Sequence, residues 1–203
     1  EADDAFNHVL VTHPDDLTAL YGHARSLDHQ GLYEEAVTAY QHITLIDPGC
    51  ERVFYYQGNA LINLHRYPEA IDSFDRSLAL NPARTEAWNT LGRAYVTLKK
   101  YPEAVEAFDH LLELQPDSVD IRFEKGLALY NLKNLDPALE AFNQCIESGL
   151  DNSRVHAEKG RVLFELARND EAIASFDRAL ELDPKDTVSH QMKGEILQKI
   201  ERY

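Results

Sequence analysis

Apolar residues return along this chain at helical spacing, in blocks of about thirteen residues that are broken by short polar turns. Residues 85–116 show the unit. Ala87, Trp88, Leu91, Ala94, Tyr95 and Leu98 recur at steps of three and four, and so do Ala104, Val105, Phe108, Leu111 and Leu112. This pattern predicts two short helices joined near Lys99-Lys100-Tyr101. Pro102 falls where the second helix begins, a place where its missing N–H costs nothing, and Pro116 falls just past its end.

The block is repeated. The tetrapeptide YPEA stands at residues 67–70 and again at 101–104, a step of 34. Unrelated residues keep the same step. Gly58, Gly92, Gly126, Gly160 and Gly194 form one column, with Ala24 one step earlier. Ala2, Ala36, Ala70, Ala104, Ala138 and Ala172 form a second. Phe6, Tyr40, Phe74, Phe108, Phe142 and Phe176 form a third, and a proline column at 14, 48, 82, 116 and 184 is interrupted only by Leu150. Periods of this length mark stacked repeats that bury a shared core. Asp16, Ser118, Asn152 and Asp186 precede first helices and are predicted to cap them. Glycine inside a helix costs about 1 kcal/mol against alanine, so the glycine column predicts a compensating close approach by a neighbouring helix. The aromatic column is predicted to fill the space between layers.

Trp88, Leu91, Gly92, Tyr95, Ala104, Phe108 and Pro116 together resemble the tetratricopeptide repeat. The resemblance covers the whole chain. It implies an all-α, right-handed superhelical solenoid of antiparallel helix–turn–helix repeats. The expected organisation is a second helix of a truncated repeat at 1–16, full repeats at 17–50, 51–84, 85–118, 119–152 and 153–186, and a first helix at 187–203. A first residue other than Met and ends inside repeats suggest an excised fragment. Repeat 119–152 departs from the pattern, with Arg122 in place of Trp88 and ESGLDNS in place of a proline turn.

The net charge is −15, from 35 acids against 20 Lys plus Arg. Such a surface repels phosphate backbones and anionic membranes, so neither nucleic acid nor a membrane is an expected partner. No apolar run reaches the roughly 18 residues that span a bilayer. Two cysteines, Cys50 and Cys145, point to a reducing, cytoplasmic setting. Several helix layers of about 8–10 Å would separate them in a solenoid, beyond the roughly 7 Å that a disulfide allows. Cys145 reads as a small core residue.

No phosphate-binding glycine loop, His-Glu-x-x-His or Cys-x-x-Cys is present. His13 with Asp15 and Asp16 reads as a repeat junction rather than a metal site. Acidic pairs such as Glu34-Glu35 and Asp170-Glu171 begin second helices, where negative charge favours the helix dipole. The chain is therefore expected to be no enzyme and to need no cofactor or metal.

The resemblance places first helices along a concave face that binds extended peptides or partner helices. Its inner columns carry Tyr21, Arg25, Tyr55, Asn59, Asn89, Arg93, Phe123, Tyr130, Arg161 and Phe164, which are the expected groove residues. Arg clamps carboxylates with two hydrogen bonds, and aromatic rings anchor at low entropy cost. The expected partner is a protein or peptide with acidic and apolar residues. The alternative is that the rings pack against the next repeat and the Arg residues pair with Glu86, Asp120 or Glu158. Family members that grip chaperone tails use a Lys/Asn carboxylate clamp, and Tyr21/Arg25, Tyr55/Asn59 and Asn89/Arg93 do not reproduce it. Glu35, Asp72, Glu106 and Glu140 are expected on a solvated outer face. A second class of function is self-association: Phe6, Val9 and Leu10 at one end, and Ile196, Leu197 and Ile200 at the other, form apolar faces that could stack into a homo-oligomer.

Overall fold

The computed structural model describes residues 2–200, with side chains described for 5–199. Twelve helices and no strand occur among them. They are α1 (Ala2–Thr12), α2 (Leu17–His29), α3 (Tyr33–Ile46), α4 (Glu51–Asn63), α5 (Tyr67–Leu80), α6 (Thr85–Thr97), α7 (Tyr101–Leu114), α8 (Val119–Asn131), α9 (Leu135–Glu147), α10 (Ser153–Glu165), α11 (Asn169–Leu182) and α12 (Thr187–Ile200). The protein is all-α, an array of helix–turn–helix repeats. Two compact units divide it, Glu1–Leu98 and Lys99–Tyr203. Within each unit every helix packs against the next in the chain, and first helices of successive hairpins also touch, as α4 with α6 and α8 with α10.

The aromatic column forms the spine of both cores. Tyr40 and Phe74 in the first unit, and Phe108, Phe142 and Phe176 in the second, are fully buried. The glycine column explains how they fit, and the close approach expected of a neighbouring helix is made by the ring of its aromatic residue. A Cβ built on Gly58 would come within 2.7 Å of the Phe74 ring, and one on Gly126 or Gly160 within 2.8 Å of the Phe142 or Phe176 ring. The notch thus receives the ring 16 residues later in the same hairpin. Gly194 has nothing within 4 Å of that position. Where Ala24 replaces glycine, the column residue is Tyr40, whose buried hydroxyl faces the Asp28 carboxyl.

Helix ends follow local chemistry. Asp16 accepts from the Ala19 N–H at 2.8 Å, Asn152 from the Val155 N–H at 3.0 Å, and Asp186 from the Val188 N–H at 3.1 Å. The predicted cap at Ser118 makes no such side-chain bond. Pro68 and Pro102 occupy the first turns of α5 and α7. The turn inside each hairpin needs a left-handed residue. Gly31 supplies it at φ 78°, but the equivalent positions hold His65, Lys99, Lys133 and Ala167 at φ 57–64°. At His65 the turn is a Schellman motif: His65 N–H donates to the Ile62 carbonyl and Arg66 N–H to the Leu61 carbonyl.

Both cysteines are free. Burial pushes the Cys145 thiol up to about 11, and it points to the Val119 carbonyl at 3.6 Å. Cys50 is half-buried.

Candidate interaction surface

The ten groove residues predicted from the sequence fall into two sets. In the first unit, Tyr21 and Arg25 lie on α2, Tyr55 and Asn59 on α4, and Asn89 and Arg93 on α6. In the second, Phe123 and Tyr130 lie on α8, and Arg161 and Phe164 on α10.

The first set is organised by a residue that the sequence reading passed over, Tyr56. The Arg25 guanidinium sits 3.7 Å from the centre of the Tyr56 ring. Tyr21 and Tyr55 meet that ring edge-on at 6.1 and 5.2 Å, and Tyr40 stacks on it at 6.4 Å. Arg25 also contacts the His29 Nε2 at 3.0 Å. Burial, then the Tyr56 hydroxyl, push Tyr21 up to about 12 against the opposing pull of Arg25 and Arg52. Burial also raises Asp28, which Arg25 and His29 only partly offset. Asn59 is half-buried, and its carbonyl accepts from the Asn63 side chain at 3.1 Å. The Asn89 side-chain oxygen is buried with no hydrogen-bond partner. One hairpin further, Arg84 grips Glu51 through Nε at 2.9 Å and Nη2 at 2.6 Å, and lies 4.9 Å from the Tyr55 ring. Burial would raise the Glu51 carboxyl, but the Arg84 and Asn81 hydrogen bonds outweigh it and hold it low.

In the second set Arg161 and Lys133 meet carboxylates. Arg161 Nη1 donates to Glu158 at 2.9 Å, one of the pairings anticipated as the alternative to a partner contact, and its guanidinium lies 5.0 Å from the Tyr130 ring. Tyr130 donates its hydroxyl to Glu165 at 2.5 Å, and Lys133 donates to both oxygens of the same carboxylate at 2.8 and 2.7 Å. Those two partners hold Glu165 below the usual carboxylate range, Lys133 contributing most. Phe123 is buried against Phe142 at 5.5 Å, with Arg154 over its ring at 4.7 Å. Phe164 is half-buried, with the Lys199 ammonium 5.4 Å from its ring.

A signal for Tyr56 exists in the sequence. Arg25–Tyr56, Phe123–Arg154 and Tyr130–Arg161 are all 31 residues apart, the offset that brings cation and ring together on successive first helices. Searching for that offset would have found it.

The outer face is acidic and exposed at Glu35, Asp72, Glu106 and Glu140. Asp109 pairs with Lys125, and Asp177 with Lys193 at 2.5 Å. Clefts of about 220, 280 and 290 Å³ recur on this side at Leu61, Leu129 and Leu163, positions related by the repeat step. Among the described residues no group of three or more His, Cys, Asp or Glu could hold a metal ion, and no helix is long and apolar enough to cross a membrane. His13 bonds the Thr12 hydroxyl at 2.9 Å, and Asp16 is spent on its cap.

The tetratricopeptide repeat profile matches residues 1–49, 55–119, 89–148 and 123–187. No curated protein sequence matches the chain. Among solved structures it is similar to YrrB, described as a TPR protein with an unusual peptide-binding site: TM-score 0.84, 22% identity, covering 95% of this chain and 100% of that one. It is similar to MamA (AMB-1), with TM-score 0.74 and 26% identity over 87% of this chain and 96% of that one. It is also similar to MamA from Desulfovibrio magneticus RS-1, with TM-score 0.73 and 20% identity over 84% and 97%. The chain belongs to the tetratricopeptide repeat family.

Proposed function

We propose that the protein is a non-enzymatic, cytoplasmic scaffold that captures a peptide or helix of a partner protein, carrying acidic and apolar residues, on its first helices. Arg25, Asn59 and the surrounding tyrosines of the first unit are the main contacts. Asn89 and Arg93 extend that set within the first unit. The observation that carries this reading is that the Arg25 guanidinium lies on the Tyr56 ring face with one nitrogen at His29, so its other N–H groups can meet a partner carboxylate. The likeness to YrrB, whose peptide-binding site gives it its description, adds support from fold.

A displayed library of random peptides tests it. Enrichment of sequences mixing Asp or Glu with large apolar residues is expected. Arg25→Glu and Asn59→Ala should weaken the selected peptides while helicity and melting stay unchanged. Undiminished binding in both variants, or enrichment of basic peptides, rejects the assignment.

A second reading, homo-oligomerisation through the terminal helices, rests on their exposure. Val9 is 38% exposed where Ile43 and Leu111 of the same column are 2% and 1%, and Leu197 is 41% exposed where Leu163 is 1%. A strictly monomeric mass by light scattering at high concentration removes it.

A further inference from the structure

In the first unit, the junction of α2, the end of α3 and the start of α4 encloses a cleft of about 300 Å³, large enough to take a bulky side chain. Leu17, Tyr21, Ile43 and Val53 form its walls, with the Cys50 thiol and Arg52 among its lining. Its origin lies in one substitution within the repeat. Cys50 holds the position that Arg84 holds 34 residues later, and Leu17 and Tyr21 hold those of Glu51 and Tyr55. At the later junction Arg84 lies over Tyr55 and is bonded to Glu51, which Asn81 also bonds at 3.1 Å. The same backbone geometry is there filled by the protein's own side chains. At the earlier junction the thiol is too short to fill it, and the carboxylate that would favour a cation is replaced by a leucine that is 38% exposed.

The wall chemistry decides the occupant. With Leu17 in place of Glu51, a guanidinium or ammonium would lose its counter-charge, while an aliphatic or aromatic side chain would bury against Leu17, Ile43 and Val53. Arg52 lines the cleft, and Arg25 acts on the same Tyr21 that forms its wall. Asp47, the one acid of the lining, is engaged by the Gly49 N–H at 3.0 Å. We infer that this cleft is an anchor pocket for a large apolar side chain of a partner peptide whose flanking carboxylate pairs with Arg52. This rests on the peptide-capture reading, and adds to it a position and a residue class.

Cys50 reports on occupancy, because Cys145 is buried and silent. The probe is a short blocked peptide alternating Leu or Phe with Asp or Glu. Binding is read by fluorescence anisotropy, and Cys50 alkylation by iodoacetamide is followed by mass spectrometry. Bound peptide should slow Cys50 alkylation at least fivefold. Thr18→Trp, which places an indole at the exposed rim of the cleft, should weaken binding about tenfold and remove the protection. Arg52→Ala should abolish the preference for the acidic peptide over its Lys-containing counterpart. Peptide that binds, is lost in Arg25→Glu, yet leaves Cys50 unprotected and ignores Thr18→Trp overturns the anchor pocket and leaves the groove standing. Absence of binding by any such peptide overturns both.

Discussion

Arg25 and Arg161 occupy the same column of the repeat and do different things. Arg25 rests on Tyr56, while Arg161 is bonded to Glu158 beside a Tyr130–Glu165–Lys133 cluster. A guanidinium held by a ring face and one histidine retains further N–H donors for a newcomer, whereas one already paired with a carboxylate must break a charge-assisted bond first. The scaffold beneath them is built alike: each hairpin buries the ring of the aromatic column, Tyr40 in the first and Phe176 in the second. The repeat therefore builds one frame, and the residues beside the notch decide which part of the frame recognises anything.

The strongest challenge to this contrast is charge reversal at the two sites. Arg25→Glu is expected to cost about 2–4 kcal/mol of peptide binding, as a central anchor does. Arg161→Glu should leave binding within about threefold and lower the melting temperature instead, because it sets two carboxylates against each other. Titration of labelled peptide into both variants, beside their melting curves, checks the pair. Equal losses of binding would erase the difference between the units.

The shared frame predicts equal penalties where the recognition differs. Gly58→Ala and Gly160→Ala should each destabilise by about 1–3 kcal/mol, because the new methyl overlaps a buried ring. Gly194→Ala, with open space around it, should stabilise by about 0.5–1 kcal/mol through helix propensity alone. Urea unfolding of the three variants reads all of this, and a destabilising Gly194→Ala would count against the ring-in-notch account.

Acid should act in opposite directions on one carboxylate of each unit. Glu165 in the second unit is held low by Lys133 and Tyr130, so its contribution is present above the unfolded carboxylate value and is lost as pH falls through its folded value. Asp28 in the first unit is raised by burial, so the folded state binds its proton more readily and acidification through that window stabilises it. Carboxyl carbon shifts followed by NMR would give both directions, and a Glu165 titrating above the usual glutamate value, or an Asp28 below the usual aspartate value, would contradict them.

The smallest effect concerns the hairpin turns. Ala167→Gly should stabilise by about 0.5–1 kcal/mol, since alanine at φ 58° carries left-handed strain that glycine does not, and Gly31→Ala should cost a similar amount. Thermal melts suffice to compare them.

Much of the frame is legible in the letters. Helices at Thr85–Thr97 and Tyr101–Leu114 stand where apolar spacing, Pro102 and Pro116 put them. The caps at Asp16, Asn152 and Asp186 were readable because a cap bonds within three residues. The left-handed column at His65, Lys99, Lys133 and Ala167 was not, since only Gly31 and the like announce such a conformation by residue type. The candidate site was read by column and not by contact. The ten inner residues could be named, but Tyr56, which gathers four of its neighbours, lies one position off that register.

The sequence by itself determined the period, the hairpin and the class of residue at each step, because these depend on local spacing and on side chains a few residues apart. Only the tertiary structure decided that the glycines receive rings, that Arg25 finds Tyr56, and that Cys50 leaves open the cleft that Arg84 closes. Those outcomes depend on which side chains meet across 16 to 35 residues of chain, where a single atom's length or charge chooses between partners equally compatible with the repeat.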